Sequence, residues 1–180
     1  MKIIGIDPGC TTSPTAIAMI EVQGSVASIK GIYEVHPLVG ALSFTDRVRL
    51  ISTSIKIIAD GFEPDLIFLE FSHYMGKANI SFLKLLGAIE FQLKQEVKYV
   101  YPTQIKKFFG AGTLQKEAVA EELKKHFKKA EKTIQALIDT KKFDSTDSLA
   151  IALGGYCLWN TKSGFVQGTP LEKEVICQNQ

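Results

Sequence analysis

The sequence predicts a mixed α/β fold, a five-stranded sheet flanked by helices, and three observations carry that prediction. Short runs of aliphatic and β-branched residues recur along the chain, as buried strands require. Three of them follow one another at the start. From residue 45 onward, stretches with helical spacing alternate with strands, a pattern that places helices on the faces of a sheet.

The elements follow in order. Lys2–Asp7, Thr15–Glu21 and Ser25–Glu34 read as three consecutive strands, with a hairpin centred on Gly24 between the second and third. Thr45 to Gly61 carries Val48, Ile51, Ile55, Ile58 and Ala59 at helical spacing, and Gly61 suits a C-terminal stop. Asp65–Glu70 is the fourth strand, introduced by Pro64. Asn79 to Lys94 is a helix with the apolar stripe Phe82, Leu83, Leu86, Ile89 and Leu93. Lys98–Tyr101 is a short fifth strand, and Pro102 then opens a short helix that ends before Gly110-Ala-Gly112. Thr113 suits the N-cap of a helix from Leu114 to about Lys128. Further helices are expected over Glu131–Asp139 and over Thr146 to about Trp159. The organisation expected is one domain over residues 1–160 and a loosely docked or disordered tail over 161–180.

The chain has 180 residues, 46% hydrophobic and 22% charged, which is ordinary for a globular domain with a proper core. No apolar stretch is long enough to span a bilayer, and Met1 runs into the first strand without a leader pattern. Cys10, Cys157 and Cys177 show no CxxC spacing, so neither a disulfide framework nor a zinc knuckle is suggested. A protein of the reducing cytoplasm is the expectation. Net charge is only +2, but between Lys98 and Lys142 there are eleven lysines against five acids. That surplus reads either as a DNA footprint or as the solvated face of helices.

Four acids demand an explanation. Asp7 and Glu70 each follow an apolar strand run, and Asp144 and Asp147 stand three apart, on one face, where the last helix begins. Each has a local account: Asp7-Pro8-Gly9 is turn chemistry, Glu70 a solvated strand end, and Asp144 and Asp147 acids at a helix N-terminus. Those accounts leave unexplained why all four bracket the core strands and the final helix. Carboxylates converging from separate elements repel unless a cation lies between them, and magnesium is a hard ion that takes oxygen ligands.

Ile4-Gly-Ile-Asp-Pro-Gly9, Leu69-Glu70, Gln104-Ile-Lys106, Gly110-Ala-Gly112 with Lys116, and Asp144-Ser-Thr-Asp-Ser-Leu-Ala-Ile-Ala-Leu153 occur in the order and rough spacing of one family. Over residues 1–158 the chain resembles the RuvC family of Holliday-junction resolvases. The resemblance implies an RNase H-like fold, a homodimer, a bacterial or phage origin, and Mg²⁺-dependent cleavage of four-way DNA junctions. That cleavage is a phosphodiester hydrolysis to which two ions held by carboxylates are suited, with Mn²⁺ as a substitute. It implies Asp7, Glu70, Asp144 and Asp147 as metal ligands and Lys116 as a lysine beside the active site. Lys106 falls on a basic position near the DNA, and Tyr74, rather than His73, on the base-stacking aromatic. Lys77, Lys84, Lys106, Lys107 and Lys116 are the expected phosphate contacts. The chain carries Ser13-Pro14-Thr15 after Asp-Pro-Gly and Phe71 after Glu70, where the family usually differs.

Three other functions compete. A broader debranching nuclease would act on forks, flaps and replication intermediates, and an inert junction-binding protein would have no need of four acids. An actin-like ATPase or sugar kinase also ends its first strand in Asp-x-Gly, but needs a duplicated lobe for which 180 residues leave no room.

Overall fold

The computed structural model describes residues 1–9, 12–71, 80–110 and 116–162. Five strands form one sheet: β1 (Lys2–Asp7), β2 (Thr15–Gln23), β3 (Val26–Val35), β4 (Leu66–Glu70) and β5 (Val97–Val100). Their order is β3-β2-β1-β4-β5. The first three strands are antiparallel neighbours, and β4 and β5 run parallel to β1. The sheet is therefore mixed, in the RNase H-like arrangement that the resemblance implied.

Period-two alternation sorts the sheet residues onto two faces. Ile4, Ile6, Ile17, Met19, Ile67 and Leu69 pack on one face with α1 (Phe44–Phe62) and α2 (Ile80–Gln92), which contribute Ile51, Ile55, Leu85 and Ile89. Ile3, Ala18, Ile20, Val22, Leu66 and Phe68 pack on the other. That face is covered by α3 (Pro102–Phe108), α4 (Lys116–His126), α5 (Glu131–Asp139) and the long α6 (Phe143–Lys162). A 3₁₀ turn at Lys128–Ala130 joins α4 to α5. Among the described residues no helix is long and apolar enough to cross a membrane.

Several expected boundaries move. Helix α1 continues past Gly61 and stops at Glu63, which adopts the left-handed conformation (φ 54°) and donates its N–H to Ala59 O. Pro64 follows directly and cannot extend the helix. Helix α6 begins at Phe143 rather than Thr146, so Asp144 lies inside its first turn and is not its cap. Strand β5 begins at Val97 and ends before Tyr101, whose extended backbone leads into Pro102 at the start of α3. The expected stretch Leu114–Gln115, the Thr113 cap and the tail from residue 163 lie outside the described residues.

Candidate active site

The parallel register sets the first two carboxylates side by side. Ile6 of β1 pairs with Leu69 of β4, so Asp7 and Glu70 each follow one residue later, on the face covered by α6. Asp144 and Asp147 come from the first turns of α6, three residues apart and on one side of it. Ligand atoms of Asp7, Asp144 and Asp147 all lie within 4.8 Å of one another. Glu70 lines the same cleft, of about 730 Å³, without joining that triad.

Two glycines allow this convergence. A Cβ on Gly5 would lie 2.3 Å from Ser148 O and 2.4 Å from Ala152 N. Both are backbone atoms of α6, so a strand residue without a side chain lets the helix rest directly on β1. Gly9 is equally confined, since a Cβ there would meet Pro14 O at 2.3 Å and Ser13 O at 2.5 Å. The Thr15 hydroxyl fastens this turn by donating to Gly9 O (2.7 Å) while accepting from Gly9 N (3.1 Å). Thr15 is thus tied to Gly9, and Ser13 and Pro14 line the cleft beside Asp7.

Lys116, the first residue of α4, reaches across to the acids of α6. Its Nζ lies 3.1 Å from Asp144 Oδ1 and 2.7 Å from Asp147 Oδ2. Burial would depress its ammonium, but hydrogen bonding and attraction to Asp147 and Asp144 prevail and raise it. Burial raises the Asp7 carboxyl well above the usual aspartate range, reinforced by the charges of Glu70, Asp147 and Asp144. Glu70 is pushed up to about 7, by burial first and then by Asp147. Asp147 is raised by burial, with Lys116 opposing. The apolar lining explains the desolvation: Phe82, Ile105, Val119, Ala150 and Ile151 border the same cleft. Such a site holds surplus negative charge that Lys116, with Lys106 nearby, only partly offsets, and the donor set is all carboxylate oxygen, which fits Mg²⁺ or Mn²⁺.

The other expected residues separate. Lys106 lines the cleft from α3. Lys107 and Lys84 are exposed on α3 and α2 and are not part of the cleft lining. Tyr74, Lys77 and His73 lie outside the described residues. Phe71 packs against Tyr99 and Tyr101, with ring centroids 5.5 and 5.9 Å away, and extends β4 through its N–H to Val100 O. The residue after Glu70 is therefore a packing residue. Sequence reasoning missed Gly5 and Glu34. A glycine inside an apolar strand was the available signal for the first. Glu34 gave none, because its partners are 108 and 111 residues away.

Comparison with known proteins places this geometry. The family model described as "Crossover junction endodeoxyribonuclease RuvC" matches residues 3–155. The chain belongs to the RuvC family. A RuvC from Borrelia turicatae, named a crossover junction endodeoxyribonuclease, is 34% identical over 125 residues, 66% of this chain and 76% of that one. Thermus thermophilus RuvC superposes with a TM-score of 0.66 at 22% identity, covering 91% of this chain and 97% of that one. In complex with its Holliday junction substrate the same protein gives 0.70 over the same shares. A fowlpox virus resolvase bound to Holliday junction DNA gives 0.50 at 14% identity, over 85% of this chain and 95% of that one. At those identities the solved structures speak to the fold alone. Metal dependence is general in the RuvC family, and the acidic cluster here is suited to it.

Proposed function

We propose that this RuvC-family chain is a metal-dependent endonuclease that resolves four-way (Holliday) DNA junctions by paired nicks, acting as a homodimer. The observation that carries the reading is the meeting of Asp7, Asp144 and Asp147, with Glu70 alongside, in one cleft of a chain whose residues 3–155 match the family. Residues 1–160 form the nuclease domain on this reading.

Asp7, Asp144 and Asp147 would hold Mg²⁺, with Glu70 completing a two-ion set and Mn²⁺ able to substitute. When bound, the metal supplies charge stabilisation at the scissile phosphate and lowers the pKa of the attacking water. Lys116 holds Asp144 and Asp147, and where those carboxylates served a cation its ammonium would be available to the phosphate. Lys106 adds positive charge at the cleft wall. Lys77, Lys84 and Lys107 serve the phosphates of the junction arms, and Tyr74 stacks on a base near the crossover. The apolar wall of Ile105, Val119 and Ile151 limits water around the reacting phosphate.

Two symmetric nicks need two sites related by a two-fold axis, which an isologous dimer provides. In sequence, the apolar stripe of the Asn79–Lys94 helix, Phe82, Leu86, Ile89 and Leu93, is a candidate dimer interface, with the protein's own sheet as the alternative cover for most of that face. Leu86 and Ile89 are instead buried in the protein's own core, with Phe82 and Leu93 packed against it. The outward stripe is Ile80 (67% exposed), Leu83, Gly87 and Phe91 (89% exposed), spaced three or four residues apart along the helix. An apolar stripe of that kind on a helix suits a second copy.

The deciding experiment incubates the protein with labelled four-way, three-way and linear duplex DNA, with Mg²⁺ or with a chelator. Wild-type protein is expected to nick the four-way junction at symmetric positions only with the metal. Asp7→Asn is expected to bind the junction and cut it at least 100-fold more slowly, since it removes charge from the site but no DNA contact. Cleavage by Asp7→Asn at near wild-type rate refutes the assignment. Equal cutting of three-way and four-way substrates favours a general debranching nuclease.

A further inference from the structure

Ser145 stands between Asp144 and Asp147 in sequence, yet its buried side chain serves a different partner. Its hydroxyl donates to Glu34 Oε1 at 2.6 Å. Lys142, the residue before α6 begins, places its Nζ 3.0 Å from Glu34 Oε2. Both oxygens of one carboxylate at the end of β3 are thus committed to the start of the helix that carries two of the site acids. The Glu34 side chain is only 13% exposed, a placement that is costly for a carboxylate unless it is partnered. His36 Nε2, 3.7 Å from Oε2, is the remaining neighbour.

The sheet register relates this latch to the active site. Asp7 pairs with Ala16, and Ala16 pairs with Glu34. Glu34 and Asp7 therefore lie in one row and on one face, two strands apart, or roughly 10 Å at ordinary strand spacing. The first turn of α6 spans that row, held by Glu34 at one end and facing Asp7 at the other. Asp7, Asp144 and Asp147 repel one another, a force that drives this turn away from β1. Lys116 opposes it from α4, and Gly5 seats the helix only at Ser148 and Ala152, farther along.

We propose that Glu34 is a positioning residue for the metal site: by holding Ser145 and Lys142 it keeps Asp144 and Asp147 within cation-sharing reach of Asp7. It acts through α6 and not on the substrate. The inference rests on the reading of the three aspartates as a cation site. Hydrogen-bond partners that orient metal-site groups typically contribute 10–100-fold in metal affinity.

The test titrates DNA-free protein with Mn²⁺ by calorimetry and records thermal melting of the same samples. Glu34→Ala and Ser145→Ala are each expected to weaken Mn²⁺ binding roughly tenfold or more. The double variant should be little worse than Glu34→Ala alone, because Ser145→Ala removes only a contact that Glu34→Ala already removes. Glu34→Gln, which retains an acceptor for Ser145, should lose less than Glu34→Ala. Lower melting temperature with unchanged Mn²⁺ affinity in Glu34→Ala and Ser145→Ala overturns the proposal, as a helix anchor without influence on the site would give that result. Should Glu34→Ala fail to fold, Ser145→Ala alone decides, since it deletes one hydroxyl. A wild-type protein that binds no Mn²⁺ overturns the cation-site reading and this inference with it. Tight wild-type binding with unaltered variants overturns only the role of Glu34.

Discussion

Asp7 and Glu70 are carboxyl groups that the fold makes reluctant to ionise. In the metal-free protein Glu70 rises from its ordinary 4.5 to about 7, chiefly through burial. A raised carboxyl binds its proton more tightly in the folded than in the unfolded chain. Stability is therefore expected to fall as pH rises from about 4.5 through about 7. Thermal melting across that window checks the sign, and Glu70→Gln should flatten the slope. At pH above the ordinary aspartate range Asp7→Asn should raise the melting temperature of metal-free protein, because it removes a carboxyl that folding makes harder to ionise, at roughly 2–4 °C per kcal/mol recovered. Added Mg²⁺ should stabilise the wild type far more than Asp7→Asn. A wild-type profile no steeper than that of Glu70→Gln would show that the carboxyl ionises freely. Cys157, by contrast, is a bystander: burial pushes its thiol up to about 12, so it is no nucleophile at neutral pH.

At the scale of elements, the contact of β1 with α6 decides whether there is a site at all. Packed layers of secondary structure normally stand about 8–10 Å apart because side chains intervene. Gly5 removes the intervening side chain where Ser148 and Ala152 pass over the strand. Gly5→Ala must displace the helix, as both obstructing atoms are backbone. Overpacking of this kind costs about 1–3 kcal/mol. The expected result is a lower urea midpoint with unchanged slope, together with loss of Mn²⁺ binding. Wild-type Mn²⁺ affinity in Gly5→Ala would mean that the approach of β1 to α6 is not what assembles the aspartates. The spacing of Asp144 and Asp147 put them on one helix face, but could not say that the helix lies across β1.

The whole molecule presents a carboxylate cleft and lysines that continue outward along α3. If Lys106 and Lys107 meet phosphates, junction affinity should fall steeply with salt, and neutralising both should reduce the log–log slope by about one to two units. An unchanged slope returns them to the solvated face of α3. The Lys124 and Lys125 positions are expected to contribute less, since Lys124 pairs with Glu121 and Lys125 with Glu122. Assembly is tested at α2: Phe91→Glu places a charge in the middle of the outward apolar stripe. It should convert a dimer to a monomer in sedimentation, with junction binding weakened and paired nicking lost. A wild-type protein that sediments as a monomer alone and on junction DNA would exclude the paired-nick mechanism.

Local chemistry determined much of this protein before any folding was considered. Short runs of aliphatic and β-branched residues marked all five strands, and Pro102 marked the start of α3. Four acids at strand ends and a helix start, in an ordered set of motifs, pointed to the family and to a metal-dependent chemistry. These features are legible because they depend on neighbours in sequence: pleat, helical turn and capping act over a few residues. Tertiary structure alone decided the rest. Only the parallel register of β1 and β4 sets Asp7 beside Glu70. Only the packing of α2 on its own sheet turns Leu86 and Ile89 inward and leaves Phe91 exposed. Glu34 and Ser145, 111 residues apart, have no local signal that they meet. Their contact exists because sheet order and the path of α6 bring them together, and such long-range geometry depends on the packing of the whole chain.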